Sequence, residues 1–320
     1  MLIPRQQEFT ISDNVEKFSF AGLIALIIIL VTSMLLTAIL APVVFNIVLF
    51  FEKTYSTKIG IYLINKGLCS FFDRLRWIPV VIGFVVLTKK FKFTKNIFIG
   101  KFRLNPIFFG FLIGTALIAL GALPHYFLPP SYRTISPTEN LLTTLSFFLL
   151  MSFKVAFIEE IIFRNILLKI FYTAFRPLLA ISLSSMFFAF VHFKGNISIN
   201  GNEYVTLKDG FLCAYSYGTS WVTRFCAIEF LNLTLLGILL SLVTLKKRSI
   251  CMAIGIHWGL VFLLLTYKKF VHIFNSNQSF TFFGSAKIID SPFAFLLLAI
   301  ISYYYYKTKT KSIAIIDHPS

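Results

Sequence analysis

Apolar residues run along this chain in long blocks, and short clusters of Lys and Arg separate most of them. The first block, 18–51, passes 34 residues without a charge. It is too long for the apolar core of a signal peptide, about 7 to 15 residues, and predicts a retained first span. As one helix at ~1.5 Å per residue it reaches ~51 Å, against ~30 Å of bilayer hydrocarbon. Tilt, a kink at Pro42 or an interfacial end is expected to absorb the excess. Further blocks cover 77–87 (starting as early as 71), 104–128, 141–171, 178–193, 226–245, 249–267 and 292–306. Together they predict an all-α fold, a polytopic membrane helical bundle of about eight transmembrane helices. Between them, 52–76 mixes Lys53, Lys58, Lys66, Arg74 and Arg76 with apolar residues and reads as an interfacial segment. Residues 129–140 read as a Pro- and Ser-rich turn, and 194–225 as the longest polar region, rich in Gly and Asn. No polar stretch is long enough to enclose a second core, so 1–320 is read as a single membrane domain.

Composition agrees: 57% of residues are hydrophobic and 13% charged, where a soluble domain carries about 25% charged residues. The formal charge of +17 raises the question of nucleic acid, but the cations sit in clusters between apolar blocks rather than along one face. They are read as topology marks. Lys89, Lys90, Lys92, Lys95, Lys101 and Arg103 follow one another with no acidic residue among them, which places that loop in the cytoplasm. Counting spans from there puts Arg176, the cluster Lys246-Lys247-Arg248 and Lys307, Lys309 and Lys311 on the same side. The expected protein is integral to a membrane, in composition compatible with a bacterial cell inner membrane, with N- and C-termini cytoplasmic. Its partner is the lipid bilayer, whose anionic head groups the cations attract; nucleic acid is not expected.

Cys69, Cys213, Cys226 and Cys251 share no metal-ligand spacing. Cys213 and Cys226 are the one pair considered for a disulfide, and four reduced thiols behaving as small hydrophobes is the preferred reading.

Three charges interrupt the block 141–171: Glu159, Glu160 and Arg164. Ionisable groups in a membrane segment are costly unless they pair or line a polar cavity. Glu160 and Arg164, four apart, share a helix face and suit an ion pair. Glu159 is rotated by ~100° and is left for other work. Two later spans each carry one histidine, His192 and His257. Measured from the basic turns, Glu159 lies ~21 Å deep, His192 ~22 Å and His257 ~14 Å. Three spans are thus expected to bring two carboxylates and two imidazoles into one pocket. A lone membrane histidine is more often structural, and His125, His272 and His318 are read so. Lys154 is expected to snorkel or pair locally, and Glu229 and Asn232 to bond between helices.

These residues resemble the CPBP intramembrane proteases, named for CAAX proteases and bacteriocin-processing enzymes and also called the Abi family. The family pattern is E-E-x-x-x-R, then F-x-x-x-H, then H-x-x-x-N. The chain has Glu159-Glu160-x-x-x-Arg164, Phe188-x-x-x-His192 and His257, with Val261 where the pattern has Asn. The resemblance covers roughly 140–265, the family-like catalytic core. It implies an intramembrane endopeptidase, glutamate-type or metal-dependent, acting on membrane-associated protein or peptide substrates. In that role Glu159 is the general base, His192 holds the water, Glu160 with Arg164 fixes the pocket, and His257 faces the oxyanion. Phe188 is structural. No cofactor is the preferred reading; zinc or another divalent metal on Glu159, His192 and His257 is the alternative. Two other functions stay open. One is a non-catalytic bacteriocin-immunity or scaffold protein of the same fold, which Val261 favours; the other is a proton-coupled transporter using the same four groups as a relay.

Overall fold

The structure is a computed structural model that describes residues 20–56, 60–61, 64–90, 102–127, 133–135, 140–193, 204–223, 225–273, 282–284 and 287–307. Most of the basic loop 89–103, residues 129–132 and 136–139 of the predicted turn, and the lysine-rich tail with His318 lie outside the described residues. In a bilayer every backbone polar group must find its partner within the protein, so each apolar block is a helix. They are α1 (Phe20–Tyr55), α2 (Leu68–Leu75), α3 (Trp77–Lys90), α4 (Leu104–Tyr126), α5 (Leu141–Glu160) with the π-helix π1 (Ile161–Leu167) and α6 (Leu168–Ala174), α7 (Pro177–Phe190), α8 (Leu207–Thr223), α9 (Ala227–Lys247), α10 (Cys251–Phe270) and α11 (Pro292–Lys307). Strands β1 (Arg133–Ile135) and β2 (Val271–Ile273) form one short antiparallel pair that ties the end of the α4 region to the end of α10. His272 sits in β2.

All eight predicted blocks hold helix, and among the described residues five helices are long and apolar enough to cross a membrane: 27–55, 104–126, 141–172, 227–247 and 251–270. The other three are α3 and α7, with 14 residues each, and α11, with 16. At ~1.5 Å per residue their described lengths reach ~21–24 Å, so the described residues do not confirm the count of eight. The helix α1 runs unbroken through Pro42 to Tyr55. Two segments outside the predicted blocks hold helices: α2 within 52–76, read as interfacial, and the 17-residue α8 within 194–225, read as the longest polar region.

Helices α4 and α10 approach backbone to backbone. A Cβ added to Gly110 or Gly114 would lie 2.5 Å from the Met252 carbonyl oxygen or 2.0 Å from that of Ile256. One added to Gly255 or Gly259 would lie 2.1 Å from the Ile107 oxygen or 2.2 Å from that of Phe111. Two small-xxx-small stripes therefore bring backbone against backbone. Lipid is as apolar as the side chains, so such close packing holds membrane helices together. On the opposite side of the molecule, α1, α2 and α8 share a second core of Ala38, Phe45, Leu68, Phe72, Cys213 and Tyr217. Cys69 bonds to Cys213 there. This corrects the reading of four reduced thiols and of Cys213 with Cys226. Cys226 and Cys251 are free, and the partner of Cys213 is on α2, 144 residues away in sequence.

Candidate active site

Pro177 opens α7, where its fixed φ and missing N–H cost nothing. The turn before it folds α7 back along π1 and α6, so a residue sixteen positions after the turn meets one sixteen before it. Glu159 and His192 are such a pair. The third element, α10, is packed against α5, and the Trp258 indole N–H donates to the Leu149 carbonyl at 3.0 Å. His257, the neighbouring residue, thereby reaches the carboxylates.

Glu160 is fully buried and Arg164 1% exposed. Arg164 Nη1 donates to Glu160 Oε1 at 3.0 Å, and His257 Nδ1 lies 2.8 Å from the same oxygen. The helix is not a plain α-helix at this point. It loosens into π1 from Ile161 to Leu167, so the ion pair spans the junction. Single π turns of this kind occur often at functional sites. Phe188 forms the floor: its ring centroid lies 4.4 Å from Arg164 Cζ, 4.5 Å from the His192 ring and 5.9 Å from the His257 ring.

Hydrogen-bond partners fix the tautomers. The Phe188 carbonyl, 2.7 Å from His192 Nδ1, can only accept, so Nδ1 carries the proton and a neutral His192 presents a lone pair at Nε2. By the same reasoning the Glu160 carboxylate holds the proton on His257 Nδ1. Both Nε2 atoms face Glu159 Oε2, at 3.6 Å from His192 and 3.8 Å from His257. These separations exceed a direct hydrogen bond. Glu159 Oε2, Glu160 Oε2 and Arg164 Nε and Nη2 are buried atoms with no hydrogen-bond partner among the described residues. Polar atoms in that position ordinarily bind water or a ligand. Glu159 and His192 are the partly exposed members, at 21% and 27%.

The four residues singled out for chemistry therefore converge, with Arg164 and Phe188 beside them. Val261 is half-buried and offers no donor. Asn232 does not replace it: its Nδ2 donates to the carbonyls of Ile289 and Ser291 at 2.7 and 3.0 Å. Glu229 pairs with Lys287 at 3.7 Å, and His125 with Tyr267 and the Phe283 carbonyl. Lys154 is exposed on α5. Sequence reasoning missed π1 and Trp258. It also missed the glycine stripes, whose four-residue spacing was open to view on either side of His257. One Glu and two His are an acceptable zinc set in chemistry. However, among the described residues no group of three or more His, Cys, Asp or Glu is arranged to hold a metal ion, and no step below is routed through one.

Fold and site together define an integral membrane protein with a carboxylate and imidazole cluster inside its helical bundle. Residues 141–263 match the family described as Type II CAAX prenyl endopeptidase Rce1-like, in line with the resemblance to the CPBP, or CAAX-protease, type. The match takes in all three motifs and ends within α10. No curated protein and no solved structure matches the chain.

Proposed function

We propose that the protein is an intramembrane endopeptidase that hydrolyses peptide bonds of membrane-associated substrates with a water activated by Glu159. The observation that carries this reading is the convergence of Glu159 Oε2 with both Nε2 atoms, 3.6 and 3.8 Å away, beside a second carboxylate already committed to Arg164. A water touching all three atoms gives one proton toward Glu159 and another toward the lone pair of His192. His192 keeps its orientation through Phe188. A second proton, taken up by His257 from solvent as the substrate enters, leaves Nδ1–H on Glu160 and turns an Nε2–H toward the oxyanion of the tetrahedral intermediate. The proton held by Glu159 then passes to the leaving amine. Arg164 neutralises Glu160 throughout, so the proton is handled by Glu159. The matched family supplies the substrate class to try first, a membrane-anchored chain with a prenylated C-terminal tail.

The test is cleavage of membrane-tethered peptides, prenylated and unprenylated, by the purified protein in vesicles, followed by mass spectrometry. Glu159→Gln and His192→Ala are expected to lower kcat/KM by about 10²–10⁴, the range of a lost general base. A Glu159→Gln protein as active as the wild type overturns the assignment. Activity is expected to survive exhaustive chelation; loss restored by zinc would transfer the water to a metal. Val261 favours a second reading, a non-catalytic protein of the same fold, and wild-type protein that cleaves no tethered peptide would support it.

A further inference from the structure

The residues that surround His257 on α10 make no contact with the proposed chemistry, yet they fix where that helix stands. On one side Gly255 and Gly259 lie against the backbone of α4 so closely that a single added Cβ would come within 2.1 to 2.2 Å of a carbonyl oxygen. On the other side Trp258 fills the seam between α4 and α5. Its ring centroid is 4.5 Å from that of Phe111 and 5.1 Å from that of Phe153, and its N–H donates to the Leu149 carbonyl at 3.0 Å. The glycine stripe sets the height of α10 against α4, and the indole sets it against α5, the helix that ends in Glu160. Between these contacts stands His257, 3% exposed, with Nδ1 2.8 Å from Glu160 Oε1. A slip of one residue along α10 is ~1.5 Å, enough to break that bond.

We infer that Trp258, together with Gly255 and Gly259, is a positioning residue for His257. Its indole N–H bond to Leu149 holds α10 in the register at which Glu160 fixes the His257 tautomer and Nε2 faces Glu159. The inference rests on the proteolytic reading for its consequence in rate, but its geometry stands apart from that reading. Trp258 touches none of the reacting groups, so its loss acts through His257.

The test uses the full-length protein with Trp258→Phe, which keeps the aromatic packing and removes the one donor, and Gly259→Ala, which presses α10 away from α4. Two measurements are made. The first is ¹⁵N NMR of histidine-labelled protein in micelles, with His257→Gln to assign the His257 signal. In the wild type this signal is expected to be that of a ring protonated at Nδ1. In Trp258→Phe it is expected to move toward the average of the two tautomers while the His192 signal stays in place. The second is cleavage kinetics, in which Trp258→Phe is expected to lower kcat about tenfold with KM unchanged and Gly259→Ala to lower it further. An unmoved His257 signal in both variants overturns the inference, as does a loss confined to KM. Wild-type protein that fails to cleave would count against the proteolytic reading alone, because the His257 signal still decides the positioning.

Discussion

At the scale of single residues, Arg164 and Glu160 are the side chains that most constrain this protein. Both are buried, and they meet over the aromatic floor of Phe188. A buried pair of this kind returns little net stability, but removing one member leaves an uncompensated charge and costs about 3–5 kcal/mol. Arg164→Met is therefore expected to lower the thermal midpoint in detergent strongly. The double variant Glu160→Gln/Arg164→Met is expected to be more stable than Arg164→Met alone. Thermal unfolding of the four proteins of that cycle checks it; additive losses would mean that the pair is not coupled. Val261 makes a prediction of opposite sign. If His257 acts alone where the related pattern has a second donor, Val261→Asn supplies one. A single oxyanion donor is worth about 10²–10³ in kcat, so the substitution is expected to raise kcat by about tenfold or more. No change would place position 261 away from the oxyanion.

At the scale of elements, the helices that the hydrophobic pattern gives and those it hides differ for physical reasons. Blocks such as 227–247 were legible because a membrane span has to be apolar along its whole length. The candidate site was legible too, since Glu159, Glu160, His192 and His257 are expensive where they stand. α8 was not, because its Gly, Ser and Tyr residues weaken the apolar signal. Its start was nevertheless written in the sequence Thr206-Leu207-Lys208-Asp209. The Thr206 backbone N–H donates to Asp209 Oδ2 at 2.7 Å and its hydroxyl to the same oxygen at 2.8 Å, half of a capping box. Those bonds hold the Asp209 carboxyl below its ordinary range. The change from α5 to π1 leaves no comparable mark, since Ile, Phe and Leu continue across the junction. The glycine stripes were visible as spacing, but only the structure shows which helix faces which. Gly110→Val would drive two methyl groups into the backbone at Met252 and Gly255. Overpacking of this kind costs about 1–3 kcal/mol or more, and a lowered melting temperature in detergent is the expected readout.

At the scale of the whole molecule, we propose an orientation from charge and covalent structure. The ends of the helices at Lys89, Arg103, Arg176, Lys247, Arg248 and Lys307 carry only cations among the described residues. They are brought to one side by the α6–α7 and α9–α10 turns and by Lys246, whose ammonium group donates to the carbonyls of Tyr305 and Tyr306. Apart from Glu159 and Glu160, the described acidic residues are Glu52, Asp73, Asp209, Glu229 and Asp290; none stands in those turns, and each has described cations near it in the chain, among them Lys53, Arg76, Lys208 and Lys287. The Cys69–Cys213 bond joins α2 to α8, away from those turns in the chain. Cations collect on cytoplasmic loops, and disulfides persist in oxidising compartments. The two rules have different origins, and under the proposed orientation, with the end of the bundle at Arg176 and Arg248 in the cytoplasm, both are met. Single cysteines at Arg176 and at Tyr126, each introduced into a Cys226→Ser/Cys251→Ser background, are expected to separate under a membrane-impermeant maleimide applied to intact cells. Position 126 should label, position 176 should label only after lysis, and Cys69 and Cys213 should label only after reduction. Labelling of position 176 in intact cells would invert the orientation. It would also place the disulfide in the reducing compartment, where thiol exchange would keep it open.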